Sequence, residues 1–451
     1  MNDKIFREYD IRGKVPSDIN EDVAYKIGLG YGSFLQEFLN QDACVVSYDN
    51  RVSSESLHDS LIKGLLETGI NVIDYGMTTT PMHYYARYKN NLYGIMITAS
   101  HNPSDENGFK FSFDEYANAR GIMVKDLKTY IDKGIFKTGT GSIEYNDIKE
   151  DYINYIISHL KFGKKRIKVV LDPANGVATT IARNIFEKLN IDLTIINEES
   201  DGTFPNHHPD PTIEENLTGL KEKVLEINAD IGIGFDGDGD RIGIIDNLGN
   251  MVSIEAYAII ILRNIIDKVK NKKFLYDAKC SDIFKDEILR LNGTPVICRT
   301  GTSYTQEKVL KEEIPFGIQY VGHISLNDRL RDTESAMYSS LRLIEILSKT
   351  DKTLSELVQT VPSYYNTPEI KIKSTDDKKY IVIEKIKKYC DDKKYKYLEI
   401  DGLKVMFKDS WAYVRASNTG PNITLRCESK NTKDLDNLVE LFKTLIEIFN
   451  K

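Results

Sequence analysis

Cysteine is scarce in this chain. Its 451 residues include five, Cys44, Cys280, Cys298, Cys390 and Cys427, which are scattered and form no CxxC pair. An odd, dispersed set argues against a disulfide framework or a zinc cluster and for a reducing compartment. Long apolar runs are missing too: none would span a bilayer, and the start Met1-Asn2-Asp3-Lys4 has no signal-peptide core. Nor is there an excess of positive charge. A net charge of −8 gives no general affinity for nucleic acid or an anionic membrane. These absences predict a cytoplasmic protein with no nucleic-acid or membrane partner. The length exceeds what one core usually serves, so several domains are expected.

What is present is led by Asp236-Gly237-Asp238-Gly239-Asp240-Arg241, which follows the apolar stretch Ala229–Phe235. Carboxylates this close disfavour one another's ionised forms, and a bound cation removes that cost. Oxygen donors favour a hard ion, Mg²⁺ or a near relative. The glycines let the backbone curl so that successive side chains converge. Asp-Gly pairs also make plain solvated turns, but three aspartates alternating with glycine, launched from an apolar strand and closed by arginine, favour a site. The spacing is not that of an EF-hand, which needs a distant glutamate.

Apolar strands alternate with amphipathic helical stretches over the first four-fifths of the chain, as in α/β layers with parallel strands. A degenerate repeat runs through them. Three short strands end in aspartate: Val45 to Asp49, Val169 to Asp172 and Phe274 to Asp277. Each is followed by a second strand with a functional-looking loop: Gly94 to His101, the aspartate run, and Phe316 to His323. Three similar α/β domains would each present a loop at the carboxyl ends of their strands, where ligands bind. The pattern changes near Ser363–Pro368, a plausible hinge. Beyond it, short strands at Leu403–Phe407 and Ile423–Cys427 and a helix from about Asp434 to Phe449 predict a small α+β domain. Lys378 to Lys396 is expected to be the exposed face of a helix.

Thr98-Ala99-Ser100-His101-Asn102-Pro103 is the second strong signal. A serine hydrolase with His101 as base is disfavoured: neighbours in sequence rarely face each other, and there is no G-x-S-x-G elbow or third triad member. Ser100 could instead carry a phosphoryl group whose oxygen completes the metal shell. An Asn-Pro turn with a capping serine is the alternative, and the hexapeptide alone leaves both open. Arg7, Arg12, Lys110, Arg241 and Lys279 recur near these loops. Singly each suits a surface charge; together they suit a substrate with phosphate at one end. Arg415-Ala416-Ser417-Asn418-Thr419-Gly420-Pro421 is a dense donor array fitted to phosphate oxygens, or else a polar hairpin loop.

Taken together these segments resemble the phosphohexomutases, in the bacterial phosphomannomutase/phosphoglucomutase branch. The matching motifs are Tyr9-Asp10-Ile11-Arg12-Gly13, Thr98–Pro103, Asp201–Pro211, the aspartate run, Asp277-Ala278-Lys279-Cys280 and Arg415–Pro421. The resemblance implies three related α/β domains with mixed sheets and a small α+β C-terminal domain, heart-shaped around a central cleft. With it go domains at 1–150, 151–253, 254–362 and 363–451. It implies a phosphoserine at Ser100, with Mg²⁺ held by Asp236, Asp238, Asp240 and that phosphoserine. Arg12, Lys110 and Arg241 would lie by the reacting groups, with His323 near the sugar. Arg415, Ser417, Asn418 and Thr419 would grip the non-reacting phosphate, helped by Lys279 and Tyr9. The implied reaction moves phosphate between O1 and O6 of mannose or glucose through a hexose 1,6-bisphosphate. The fourth domain would be mobile, hinged at Thr367-Pro368, and the protein a monomer or alternatively a dimer.

The departures cluster where the sugar would be read. The family's third loop usually reads Gly-Glu-Met-Ser-Gly-His, and here Ile318-Gln319-Tyr320-Val321-Gly322-His323 stands in its place. Gln319 keeps polarity without charge, and Val321 offers no hydrogen bond. Thr302 replaces a usual histidine, and Glu334-Ser335 aligns with an acidic pair. Lost hydrogen bonds to a sugar hydroxyl change discrimination. Two alternatives follow: the same chemistry on an amino or deoxy sugar phosphate, or a non-catalytic phosphosugar-binding homologue.

Overall fold

The computed structural model describes every residue except 333, 418 and 419. Its first three-quarters repeat one plan. A central strand pairs in parallel with a neighbour on each side, and the second neighbour runs on through a loop into an antiparallel partner. In the first repeat the central strand is Ala43–Tyr48, flanked by Asn71–Met77 and Gly94–Ile97, with Glu106–Phe111 beyond. In the second, Ile167–Asp172 lies between Ile191–Ile195 and Ile231–Phe235, which pairs with Ile242–Asp246. In the third, Lys273–Asp277 lies between Thr294–Cys298 and Phe316–Ile318, which pairs with Ile324–Leu326. The sheets are therefore mixed, and the first carries two extra strands, Ile11–Lys14 and Ile143–Tyr145.

The aspartate that closes each central strand has a local reason. Asp49, Asp172 and Asp277 are all buried. Each accepts the N–H two residues on, from Arg51 at 3.0 Å, Ala174 at 2.9 Å and Lys279 at 3.0 Å. A carboxylate turn of this kind satisfies a backbone donor that the strand leaves orphaned. The three functional-looking loops are the hairpins that follow the second strand of each repeat, so one plan sets all three at corresponding places.

The apolar interior is not divided as the repeats are. The first repeat has its own cluster, including Ile27, Val46, Leu61, Ile97 and Phe109. The second and third share one, in which Phe235, Ile261, Phe274, Phe316 and Leu341 all lie, and which Val45 and Met82 of the first repeat also join. The helix Ile254–Ile265 belongs to this cluster and is apolar on nearly every side, the pattern of a helix buried all round. The C-terminal part has a separate core of Val382, Ile386, Val405, Leu425 and Phe442 between its sheet and the helices Asp376–Asp392 and Thr432–Asn450. No helix among the described residues is long and apolar enough to cross a membrane.

Three expectations shift. The helix Lys149–Ser158 straddles the expected boundary after residue 150, because it packs on helices of both the first and second repeats. The charged stretch from Lys378 is helical only to Asp392; it buries Val382 and Ile386, and Lys396–Glu399 is a strand. Thr367 is no free pivot. Its N–H donates to the Cys427 carbonyl at 2.9 Å, its hydroxyl accepts from Cys427 N–H at 3.0 Å, and Tyr365–Asn366 pairs with Glu428 and Ser429. A swing of the last segment would keep those bonds only if it turned before Tyr365.

Candidate active site

The aspartate run is the tight loop of the second hairpin, between Ile231–Phe235 and Ile242–Asp246. Asp236, Asp238 and Asp240 are all at most 1 % exposed, and one oxygen of each lies within 4.8 Å of the others. Asp236 Oδ1 accepts the N–H groups of Asp240 and Arg241 at 2.9 and 3.0 Å, which folds the loop over its own first carboxylate. Burial, then repulsion from Asp240 and Asp238, pushes Asp236 well above the ordinary carboxylate range. Burial pushes Asp238 up as well, but the Lys110 ammonium at 2.8 Å outweighs it and holds this group low. Asp238 Oδ1 and Asp240 Oδ1 are buried with no hydrogen-bond partner. Two orphaned oxygens in an all-oxygen set fit a hard divalent cation, which would supply the partners they lack.

Ser100 comes to this cluster from the first hairpin. Its Oγ donates to Asp236 Oδ2 at 2.7 Å. Its backbone is left-handed, with φ of 52°, a strained conformation for a residue with a Cβ. Against the expectation for sequence neighbours, Ser100 Oγ also lies 3.2 Å from His101 Nδ1. Burial holds that imidazole neutral, but the serine hydrogen is committed to Asp236. Lys110 stands on the antiparallel strand Glu106–Phe111 and bridges Asp238 Oδ2 and Asp240 Oδ2 at 2.8 and 2.7 Å. The two carboxylates overcome its desolvation and keep it charged. Arg12, on Ile11–Lys14, donates to Asp10 at 2.7 Å, the Ala99 carbonyl at 3.2 Å and Asn102 at 2.8 Å.

The third hairpin closes the group. Arg241 Nε donates to His323 Nε2 at 3.1 Å, so the ring's hydrogen sits on Nδ1 and is donated to the Asp240 carbonyl at 3.2 Å. Burial lowers His323 to about 4. With both nitrogens engaged, His323 is no ligand in this arrangement, although it neighbours Asp240 and Glu334. Gln319 is buried and donates to Glu334 Oε1 at 2.7 Å. Burial and then Asp240 push Glu334 well above its usual range. Thus the carboxylate missing from position 319 reappears directly behind it.

A cavity of about 1400 Å³ opens over these groups and is lined by all three hairpins and by the C-terminal part. Tyr9, Arg12, Ser100, Lys110, Arg241, Gln319, Val321, His323, Arg415 and Ser417 reach its wall. Arg415 pairs with Asp401 at 3.0 Å, and Tyr9 donates to the Thr300 carbonyl at 3.0 Å. Lys279 is not brought to the wall. It is 4 % exposed, 3.7 Å from Glu369 and 5.3 Å over the Tyr320 ring, so Tyr320 and the last domain stand in front of it. Asn418 and Thr419 lie outside the described residues. Missed from the sequence were the hydroxyls of Thr80 and Thr98, which donate to Asp238 Oδ2 at 2.7 and 3.2 Å. The Thr98 position inside the hexapeptide was the available signal.

Four family models match this chain in order: Phosphoglucomutase/phosphomannomutase, alpha/beta/alpha domains I, II and III, at residues 3–138, 150–249 and 254–365, and the C-terminal domain at 369–444. The chain belongs to the phosphoglucomutase/phosphomannomutase family. It is 36 % identical to a phosphomannomutase/phosphoglucomutase of Pseudomonas putida over 98 % of this chain and 96 % of that protein. It is 32 % identical to a phosphoglucomutase of Neisseria gonorrhoeae over 98 % and 96 %. The crystal structure of a phosphoglucomutase/phosphomannomutase family protein from Burkholderia thailandensis superposes with a TM-score of 0.92 at 31 % identity, covering 99 % of this chain and 97 % of that one. This phosphoglucomutase/phosphomannomutase fold is what gathers three hairpins and a fourth loop around one cavity.

Proposed function

We propose that the chain interconverts the 1- and 6-phosphates of a hexose, mannose or glucose, through a phosphoserine at Ser100 and a hexose 1,6-bisphosphate. The observation that carries this reading is that Ser100, on the wall of a cavity large enough for a phosphosugar to turn round, bonds through Oγ at 2.7 Å to the buried triple-carboxylate cluster. Asp236, Asp238 and Asp240 would hold Mg²⁺, which supplies charge neutralisation for the transferring group. Lys110, Arg12 and Arg241 add fixed cationic charge around the same oxygens. In the first half-reaction the bond from phosphorus to Ser100 Oγ breaks as one to a sugar oxygen forms, and the hydroxyl proton passes to His323 Nε2, freed as Arg241 turns to the phosphoryl group; in the second, the bond from the other phosphorus to its sugar oxygen breaks, the bond to Ser100 Oγ forms again, and the proton returns to the freed sugar oxygen. Arg415, Ser417 and Tyr9 hold the idle phosphate at the far wall, with Asn418 and Thr419 as further proposed contacts. Holding either end of the sugar in one grip lets the bisphosphate present each phosphate in turn.

The family relatives support mannose and glucose phosphates through their names, phosphomannomutase and phosphoglucomutase. The amino- or deoxy-sugar reading rests on Gln319 and Val321 alone and gains nothing from them. A binding-only homologue has no need of Ser100, three aspartates and Lys110 set within bonding distance. The test is a mutase assay across hexose and hexosamine phosphates with Mg²⁺ and glucose 1,6-bisphosphate. Mannose and glucose 1-phosphates should turn over, and Ser100→Ala should lose roughly a thousandfold or more. Wild-type turnover by Ser100→Ala would sink the phosphoserine reading, and a clear hexosamine preference would replace the sugar.

A further inference from the structure

One arginine that the chemistry does not use is built into the serine loop from beneath. Arg51 follows the buried Asp49, and its side chain is fully buried. Its guanidinium gathers four carbonyls of a single loop: Nη2 donates to Ser100 and Asn102, both at 2.7 Å, and Nη1 donates to Pro103 at 2.6 Å and Glu106 at 2.9 Å. Nε lies 3.2 Å from Asp49. The stretch before the strand Glu106–Phe111 has no ladder of its own, and the guanidinium serves these acceptors in its place. It bonds the carbonyl of the one residue, Ser100, whose backbone is strained and whose Oγ must face Asp236.

A second domain completes the cage. The segment Asp201–Pro211 comes from the second repeat and has no role in the chemistry above. Its Phe204 ring lies 5.1 Å from the Arg51 guanidinium. A Cβ on Gly202 would stand 2.2 Å from the Asn50 carbonyl and 2.6 Å from Arg51 Cα, so the two segments touch backbone to backbone. A Cβ on Gly237, within the aspartate loop, would stand 2.6 Å from the Ser100 carbonyl and 3.4 Å from Phe204. The serine loop, the arginine, the phenylalanine and the metal loop therefore form one continuous stack. Asn50 ties it further by donating to the Asn175 carbonyl at 2.7 Å and to Ser200 at 3.0 Å.

We propose that Arg51 and Phe204 are positioning residues that hold the Ser100 loop in register with the metal loop across the junction of the first two repeats. This rests on the phosphoserine reading of Ser100. Neither residue lines the cavity, so their loss should slow phosphoryl transfer without weakening substrate capture at Arg415. The measurements are phosphoryl uptake by Ser100 from glucose 1,6-bisphosphate, followed by intact mass, and kcat and KM for hexose 1-phosphate. Arg51→Gln should slow uptake and kcat about a hundredfold, the cost of a misplacement near 1 Å, with KM within about threefold of wild type. Arg51→Lys should recover only part, because an ammonium cannot reach four carbonyls in a fork. Phe204→Leu, which keeps an apolar side chain there, should lose about fivefold in kcat alone; it decides the matter if Arg51→Gln does not fold. Wild-type uptake by folded Arg51→Gln or by Phe204→Leu, or a KM that rises as kcat falls, would overturn the proposal. If the wild-type protein itself gains no phosphoryl on Ser100, it is the functional reading that fails.

Discussion

The two ends of the cavity are built differently. At the Ser100 end Asp236, Asp238, Asp240 and Lys110 are buried on hairpins of the α/β repeats, and bonds of 2.7 to 2.8 Å join Ser100 to Asp236 and Lys110 to Asp238 and Asp240. At the Arg415 end the charges form a looser chain that crosses domains: Arg415 to Asp401 at 3.0 Å, Asp401 to Arg299 at 2.9 Å, Arg299 to Glu8 at 3.5 Å. Arg299 is about a third exposed, and the domain that carries Arg415 and Asp401 has a core of its own. Short buried bonds suit a reaction that needs fixed geometry, while the partly exposed Arg299, 3.5 Å from Glu8, is the link of this chain that is weakest and most easily exchanged. One end is made to stay and the other to yield.

Breaking the fixed end should cost most. Asp238→Asn removes a proposed metal oxygen's charge and half of the Lys110 clamp, and kcat should fall on the order of a hundredfold or more. A Mg²⁺ titration checks it: full recovery at high metal would mean that Asp238 contributes affinity only. At the yielding end, Arg415→Ala should raise KM by about tenfold or more through the lost phosphate fork, with a smaller change in kcat. Steady-state kinetics with a hexose 1-phosphate separate the two parameters, and a fall confined to kcat would move Arg415 from the grip to the chemistry. The smallest effect is expected between the ends. Gln319→Glu sets a second carboxyl 2.7 Å from Glu334 and should change the ratio of kcat/KM for mannose and glucose 1-phosphates by less than about tenfold. An unchanged ratio would remove Gln319 from the sugar-reading set.

Much of this was legible in the sequence because it is local. The three aspartates that end central strands marked the repeat, and in the structure all three cap their turns in the same way. The aspartate run and the Ser100 hexapeptide were legible for the same reason: unusual residues stand close together in the chain. What escaped is non-local or made by backbone. The Arg51 cage uses carbonyls, which every residue has, so no residue type announces it. Thr80 bonds Asp238 across 158 positions. Lys279 resembles a phosphate ligand by its motif, but its burial depends on Tyr320 and on Glu369 of the last domain, ninety residues further on. The hinge was set at a proline because proline punctuates chains, whereas the adjoining Thr367 is hydrogen-bonded into the last sheet.

The apolar cluster common to the second and third repeats gives these two units a shared fate. Phe235, which leads into the aspartate loop, and Ile318, which leads into Gln319, belong to one interior together with the helix Ile254–Ile265. Segments that open cooperatively are those that share buried contacts. The hairpin that would hold the cation and the hairpin facing the sugar should therefore exchange their amide hydrogens as a single block. A lesion in that interior would be felt at both, while the C-terminal grip, on its separate core, could loosen and re-form without disturbing either.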